Sequence, residues 1–196
     1  MAFLQGSSAA REVVAEGVTA APARFTVTAP AAWVRPKRAR VTWEAAPSTA
    51  SRVTYTVLVD GDAVAKGLQA RLLVPAATAL GNGVRQVQVV ATDGQGQAVA
   101  SDPVDLKVDA RPPTAKAAAA PRKQYGRHAI AVTVADPASG VVAGKTTCRF
   151  GDGSKQQKGH RTFRHRYKRA GRYVVRVVTR DRAGNATTVR LRVQVR

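Results

Sequence analysis

Cysteine occurs once in this 196-residue chain, at Cys148. An intramolecular disulfide and a cysteine-based zinc cluster are therefore excluded, and folding must rest on packing and backbone pairing. Cys148 alternates with Phe150 in a strand-like run, the place of a small buried hydrophobe. No apolar run approaches the ~20 residues that span a bilayer. The start, MAFLQGSSAAREVV, has neither the basic region nor the apolar stretch of a secretory signal; it suits an intracellular product, or a Met1 that is not the native start. Histidine is scarce too. His160 and His165 stand five positions apart in an extended segment and face opposite ways, so they cannot readily chelate one ion. No G-x-S-x-G elbow, phosphate loop or H-E-x-x-H run occurs. The acidic residues of the second half, Asp136, Asp152 and Asp181, all sit in turn-like contexts and form no pair suited to glycoside hydrolysis. Asp152 and Asp181 could join a calcium site only with several further oxygens, since calcium takes six to eight. The chain thus predicts no catalytic residue, no cofactor and no metal, and any catalysis would reside in an upstream domain.

What is present is alternation. Period-two patterning with β-branched enrichment recurs between Gly, Pro, Asp and Asn clusters, and helical periodicity is nearly absent. Strands are predicted over 25–28, 39–43, 52–59, 68–74, 84–92 and 104–108, with Trp43 and Tyr55 anchoring a core. DGD at Asp60, GNG at Gly81 and DGQG at Asp93 supply tight turns. Arg111-Pro112-Pro113 then interrupts regular pairing, because proline lacks an amide donor. Beyond it the pattern resumes over 129–134, 145–150, 161–167, 172–180 and 187–195, while the Ala-rich stretch up to Ala120 fits either a first strand or a flexible lead. The two halves echo each other: VQVVATDGQGQ from Val87 and VRVVTRDRAGN from Val175 each place a strand, an Asp, a Gly-containing turn and a returning strand. The expected architecture is all-β, two tandem immunoglobulin-like β-sandwiches over 25–110 and 111–196.

Residues 1–24 fit neither unit. Ala2–Gln5, a GSS turn and Arg11–Glu16 suggest a short hairpin, which is marginal alone and needs a sheet to join. That makes it a remnant of an upstream β domain, such as a propeller blade, and makes the chain the C-terminal end of a longer secreted protein.

Three blocks occur in order in the second half: CRFGDGS (Cys148–Ser154), HRYKRAGRYVVRV (His165–Val177) and DRAGN (Asp181–Asn185). Together they resemble the PKD domain, from about residue 112 to 196, departing from its pattern at Cys148, where an aromatic is usual. The first half resembles a fibronectin type III or bacterial immunoglobulin-like module by strand pattern alone. The motif residues read as scaffold. Gly151 and Gly153 permit a sharp strand exit, Asp152 caps nearby amides, and Gly171 allows a bend before Tyr173. Phe150, Phe163, Tyr167, Tyr173, Val175 and Val177 share the inward parity, and His165 serves packing or hydrogen bonding. Asp181, Gly184 and Asn185 form the last turn. The resemblance implies an extracellular or cell-surface module that acts as a spacer, an adhesive unit or an accessory to hydrolases.

Charge is the remaining functional signal. The formal charge is +20, and residues 112–196 hold 20 Lys and Arg against three Asp, a net +17. Parity turns Arg176, Arg180, Arg190, Arg192 and Arg196 outward, and Arg164 and Arg166 alternate with Phe163, His165 and Tyr167 in the same way. Such a face serves solubility, or holds an anionic cell-envelope polymer or polysaccharide through guanidinium forks. Nucleic acid is the third partner class, though no stacking aromatic or recognition helix accompanies the charge. RPKRAR at Arg35–Arg40 fits a solvated loop before a strand, or imitates a localisation signal. A monomer, or part of a longer chain, is expected.

Overall fold

The computed structural model describes residues 20–49, 52–121 and 127–196. The hairpin expected over Ala2–Gln5 and Arg11–Glu16 lies outside them. Within them the chain is all-β, built from antiparallel sheets.

The first half runs β1 (Val27–Thr28), β2 (Val41–Trp43), β3 (Val53–Val59), β4 (Asp62–Leu68), β5 (Leu72–Leu73), β6 (Gly83–Asp93), β7 (Ala98–Ala100) and β8 (Val104–Val108). One sheet has the order β1-β2-β5; the other has β4-β3-β6-β7, with β8 also on β6. Every second residue of β3 from Tyr55 on is buried, as are Val87, Val89 and Ala91 of β6, so one face of this sheet is dry. These residues meet Phe25, Val41, Trp43, Leu106 and Val108 in one cluster. Tyr55 lies at its centre, 5.6 Å from the Trp43 ring and 5.9 Å from Phe25, and its hydroxyl accepts the Ala46 amide at 3.0 Å. Each such buried aliphatic side chain contributes about 1.5–3 kcal/mol over its exposed state. The RPKRAR segment forms a short 3-10 turn over Pro36–Arg38, with Lys37, Arg38 and Arg40 exposed and Ala39 buried.

Two local expectations need correction. A single strand over 68–74 does not form; β4 begins at Asp62, immediately after the turn, and β5 is a separate two-residue piece. Asp60 and Gly61 both have positive φ, 52° and 92°, the two-residue hairpin turn that reverses the chain at once. The strand that follows, DAVAKGL, is poor in β-branched residues and left little signal. A short helix, Ala77–Leu80, was also not foreseen; it buries Leu80 against the core.

The second half runs β9 (Thr114–Pro121), β10 (Arg127–Ala135), β11 (Thr146–Arg149), β12 (Gln157–Gly159), β13 (Thr162–Arg166), β14 (Gly171–Arg180) and β15 (Ala186–Val195). Its sheets have the orders β13-β10-β9 and β12-β11-β14-β15. The Ala-rich segment is thus a strand: β9 pairs with β10 from Thr114↔Ala135 to Pro121↔His128, and Ala117 and Ala119 pack on the core. That core gathers Ile130 and Val132, Cys148 and Phe150, Phe163 and Tyr167, and the inward residues of β14 and β15. Between the neighbouring strands β11 and β14, the Thr146 hydroxyl donates to Thr179 Oγ1 at 3.1 Å, so these two buried hydroxyls partner each other.

Candidate functional site

β11 ends at Arg149 and the chain turns through Phe150-Gly151-Asp152-Gly153-Ser154. Gly151 takes φ +83° directly against β14; a Cβ there would stand 2.5 Å from the Val174 carbonyl oxygen. Asp152 Oδ1 accepts the Ser154 amide at 3.1 Å, and its Oδ2 lies 2.6 Å from His165 Nε2. The His165 ring stacks on Phe150 at 4.0 Å and meets Tyr167 edge-on at 4.7 Å. Tyr167 in turn stacks on Tyr173 at 4.3 Å and donates its hydroxyl to the Phe150 carbonyl at 3.2 Å, while Tyr173 donates to the Arg169 carbonyl at 2.9 Å. Four rings from three segments therefore form one column beneath the turn, reaching Gly171 at the start of β14. Gly153, at φ +81°, closes the turn in open space.

This arrangement is poor in reactive groups. Burial pushes the Cys148 thiol up to about 12, leaving essentially no thiolate at neutral pH. Burial, reinforced by the charge of Asp152, also raises the Tyr167 phenol and keeps it a neutral donor. At Asp152, burial alone would raise the carboxyl, but hydrogen bonds from Ser154 and His165 outweigh it and hold the group at about 2 against its usual 3.8. A depressed carboxyl stabilises the fold above its unfolded value and loses that contribution as pH falls through the folded one. Wild type should therefore exceed Asp152→Asn in urea midpoint above about pH 4, and the gap should close toward pH 2; a gap independent of pH would contradict the pairing.

The arginines divide between the two sheets. Arg176, Arg180, Arg190 and Arg192 are exposed on the outer face of β14 and β15, beside Arg196 at the strand end. Register sets Arg176 directly between Arg149 of β11 and Arg190 of β15. Arg164 and Arg166 belong to β13 in the other sheet, where with Arg127, His128 and His165 they line a separate concavity of about 270 Å³. Antiparallel pairing thus brings four of the six expected cations onto one face, adds Arg149, and removes two.

The family model of the PKD domain matches residues 110–195, the span that holds the FGDGS turn, the ring column and the DRAGN turn. Residues 110–195 are a PKD domain. No curated protein matches the chain by sequence. Among solved structures, the PKD1 domain of Vibrio anguillarum Epp is similar to 43% of the chain over 94% of its own length, at 21% identity and TM-score 0.38. The fibronectin(III)-like modules of Clostridium thermocellum CbhA are similar over 87% of the chain and 94% of theirs, at 16% identity and TM-score 0.44. The Bacteroides ovatus protein SGBP-B, solved with a mixed-linkage heptasaccharide, is similar over 93% of the chain and 67% of its own, at 12% identity and TM-score 0.31. Among the described residues no helix is long and apolar enough to cross a membrane.

One grouping escaped the sequence. Asp181 does not meet Asp152, which is held by His165; its ligand atoms lie within 4.8 Å of those of Asp109 and Asp136. Among the described residues this is the cluster whose acidic groups converge closely enough to hold a cation. Backbone amides already occupy each carboxylate. Asp181 Oδ1 accepts Gly184 and Asn185, Asp136 Oδ1 accepts Ala138 and Gly140, and Asp109 accepts Arg111 and Ser139. Asp109 is the pivot. Its own amide donates to Val34 of the first half at 2.9 Å, while its carbonyl accepts Asn185 Nδ2 of the PKD domain at 3.0 Å. The three aspartates lie 27 and 45 positions apart, and only the placing of the strand ends beside the Arg111-Pro112-Pro113 linker unites them.

Proposed function

We propose that this chain is a non-catalytic spacer or adhesion segment of an extracellular or cell-surface protein, in which a fibronectin type III-like module over 25–110 precedes the PKD module over 111–196. The supporting observation is Asp109, held by hydrogen bonds from both halves at once. A spacer must transmit separation, and a linker bonded on both sides resists bending where a free one would not. Ala110 adds to this by donating to Asn82 Oδ1 at 2.9 Å, and Thr187 by donating to the Pro113 carbonyl. The sheet faces remain free for weak, repeated contacts. PKD domains serve elsewhere as modules of larger proteins, so any catalysis belongs to neighbouring domains.

Small-angle scattering of the full chain tests this. The wild type should give one narrow distribution of interatomic distances. Asn185→Ala, which removes the bonds to the Asp109 and Arg111 carbonyls, should broaden that distribution while costing about 1–2 kcal/mol of stability. A wild type already as broad as the variant would refute the spacer function.

A further inference from the structure

The four-stranded sheet of the PKD domain has an outer face of one charge sign. Arg149, Arg176 and Arg190 form a rung across β11, β14 and β15, each the register partner of the next. Above and below it lie Arg180, Arg192 and Arg172, all exposed. None of the strands β11, β12, β14 and β15 contains Asp or Glu, and among the described residues neither ion pair involves any of these arginines. Like charges placed directly opposite across a sheet repel, so the rung costs stability unless something anionic lies on it. The face is also shaped. Thr147 and Val178 floor a concavity of about 330 Å³ whose sides are Arg149, Arg176, Arg180 and Gln156. Arg149 Nε donates to Gln156 Oε1 at 2.9 Å, which holds that guanidinium at the rim and leaves its terminal nitrogens to a ligand.

We propose that this face binds a linear acidic polysaccharide, its carboxylates taken by the Arg149–Arg176–Arg190 rung. Guanidinium forks match carboxylates bidentately, and neighbouring strands lie ~4.8 Å apart, a step comparable to that of a glycan with one carboxylate per sugar. Thr147, Thr188 and Gln156 offer hydroxyl and amide partners to the sugar. The strands of this face turn no aromatic outward, so single-stranded nucleic acid lacks the stacking platform it requires. The basic half of the chain thus gains a directed function in addition to solubility, and one that is independent of whether the linker is stiff.

The experiment measures binding of the full chain to polygalacturonate by biolayer interferometry across a salt series, beside duplex DNA and long-chain polyphosphate. R149Q/R176Q/R190Q should weaken polygalacturonate binding by at least about tenfold and flatten its salt dependence, since charge-assisted forks are lost. R127Q/R164Q/R166Q removes equal charge from the opposite sheet and should change binding by no more than about twofold, because the contact is local. The conservative R149K/R176K/R190K set keeps the charge but not the forks, and should fall between wild type and the Gln variant. Circular dichroism of all three variants checks that each keeps the wild-type fold. Equal losses from both Gln triples would reduce the effect to net charge and overturn the site. Tighter wild-type binding to DNA or polyphosphate at matched salt, or no binding to polygalacturonate at low salt, would overturn the ligand class.

Discussion

Tyr167→Ala should lower the stability of the PKD domain by about 3–5 kcal/mol, the range for deleting a large buried ring. Tyr167 is completely buried and contacts His128, His165 and Tyr173 while its hydroxyl serves the Phe150 carbonyl. Its removal opens a cavity among three rings and leaves a buried carbonyl unpaired, and both costs add. In a domain of this size each kcal/mol shifts the melting temperature by about 4–8 °C. Tyr167→Phe keeps the column and loses only the hydrogen bond, so its cost should be about 1 kcal/mol. Hydrogen exchange resolves the two halves: protection in β10, β14 and β15 should collapse in Tyr167→Ala, while β3 and β6 retain theirs. Equal costs for Ala and Phe would mean that the ring column carries no packing energy.

Gly151→Ala should cost about 3 kcal/mol or more, although it adds a single methyl group. Two penalties coincide there. The backbone lies at φ +83°, where an L side chain is strained by about 1–2 kcal/mol. The new Cβ would also meet the Val174 carbonyl oxygen at 2.5 Å and its amide nitrogen at 3.0 Å, atoms of β14 that cannot turn aside as a side chain can. Gly153→Ala is the internal control. Its φ is +81°, but no atom lies within 4 Å of the added Cβ, so the conformational penalty of about 1 kcal/mol stands alone. Urea midpoints of both variants separate strain from collision; equal losses would show that close approach to β14 contributes nothing.

Much of the chain was legible from short-range pattern. The inward parity of Phe163, Tyr167, Val175 and Val177 matches their burial, and Trp43 and Tyr55 do anchor the first core. The turn at Asp181 and the DGQG turn at Asp93 echo each other in geometry as in sequence, each Asp accepting two nearby amides. Strand β4 leaves little mark in the sequence because a two-residue turn, and not side-chain preference, places DAVAKGL beside β3. The Ala-rich sequence of β9 fits a strand or a flexible lead equally, and only pairing with β10 decides it.

Alternation along a strand determines which side of a sheet a residue takes, because successive side chains point opposite ways whatever the partner. The amino-acid order therefore determined by itself the all-β architecture, the PKD motif and the outward turn of the arginines. Which strands become neighbours, and in what register, depends on contacts between segments tens of residues apart. Tertiary structure alone separated Arg164 and Arg166 from Arg176 and Arg190, brought Arg149 into their row, and joined Asp109 to Asp136 and Asp181.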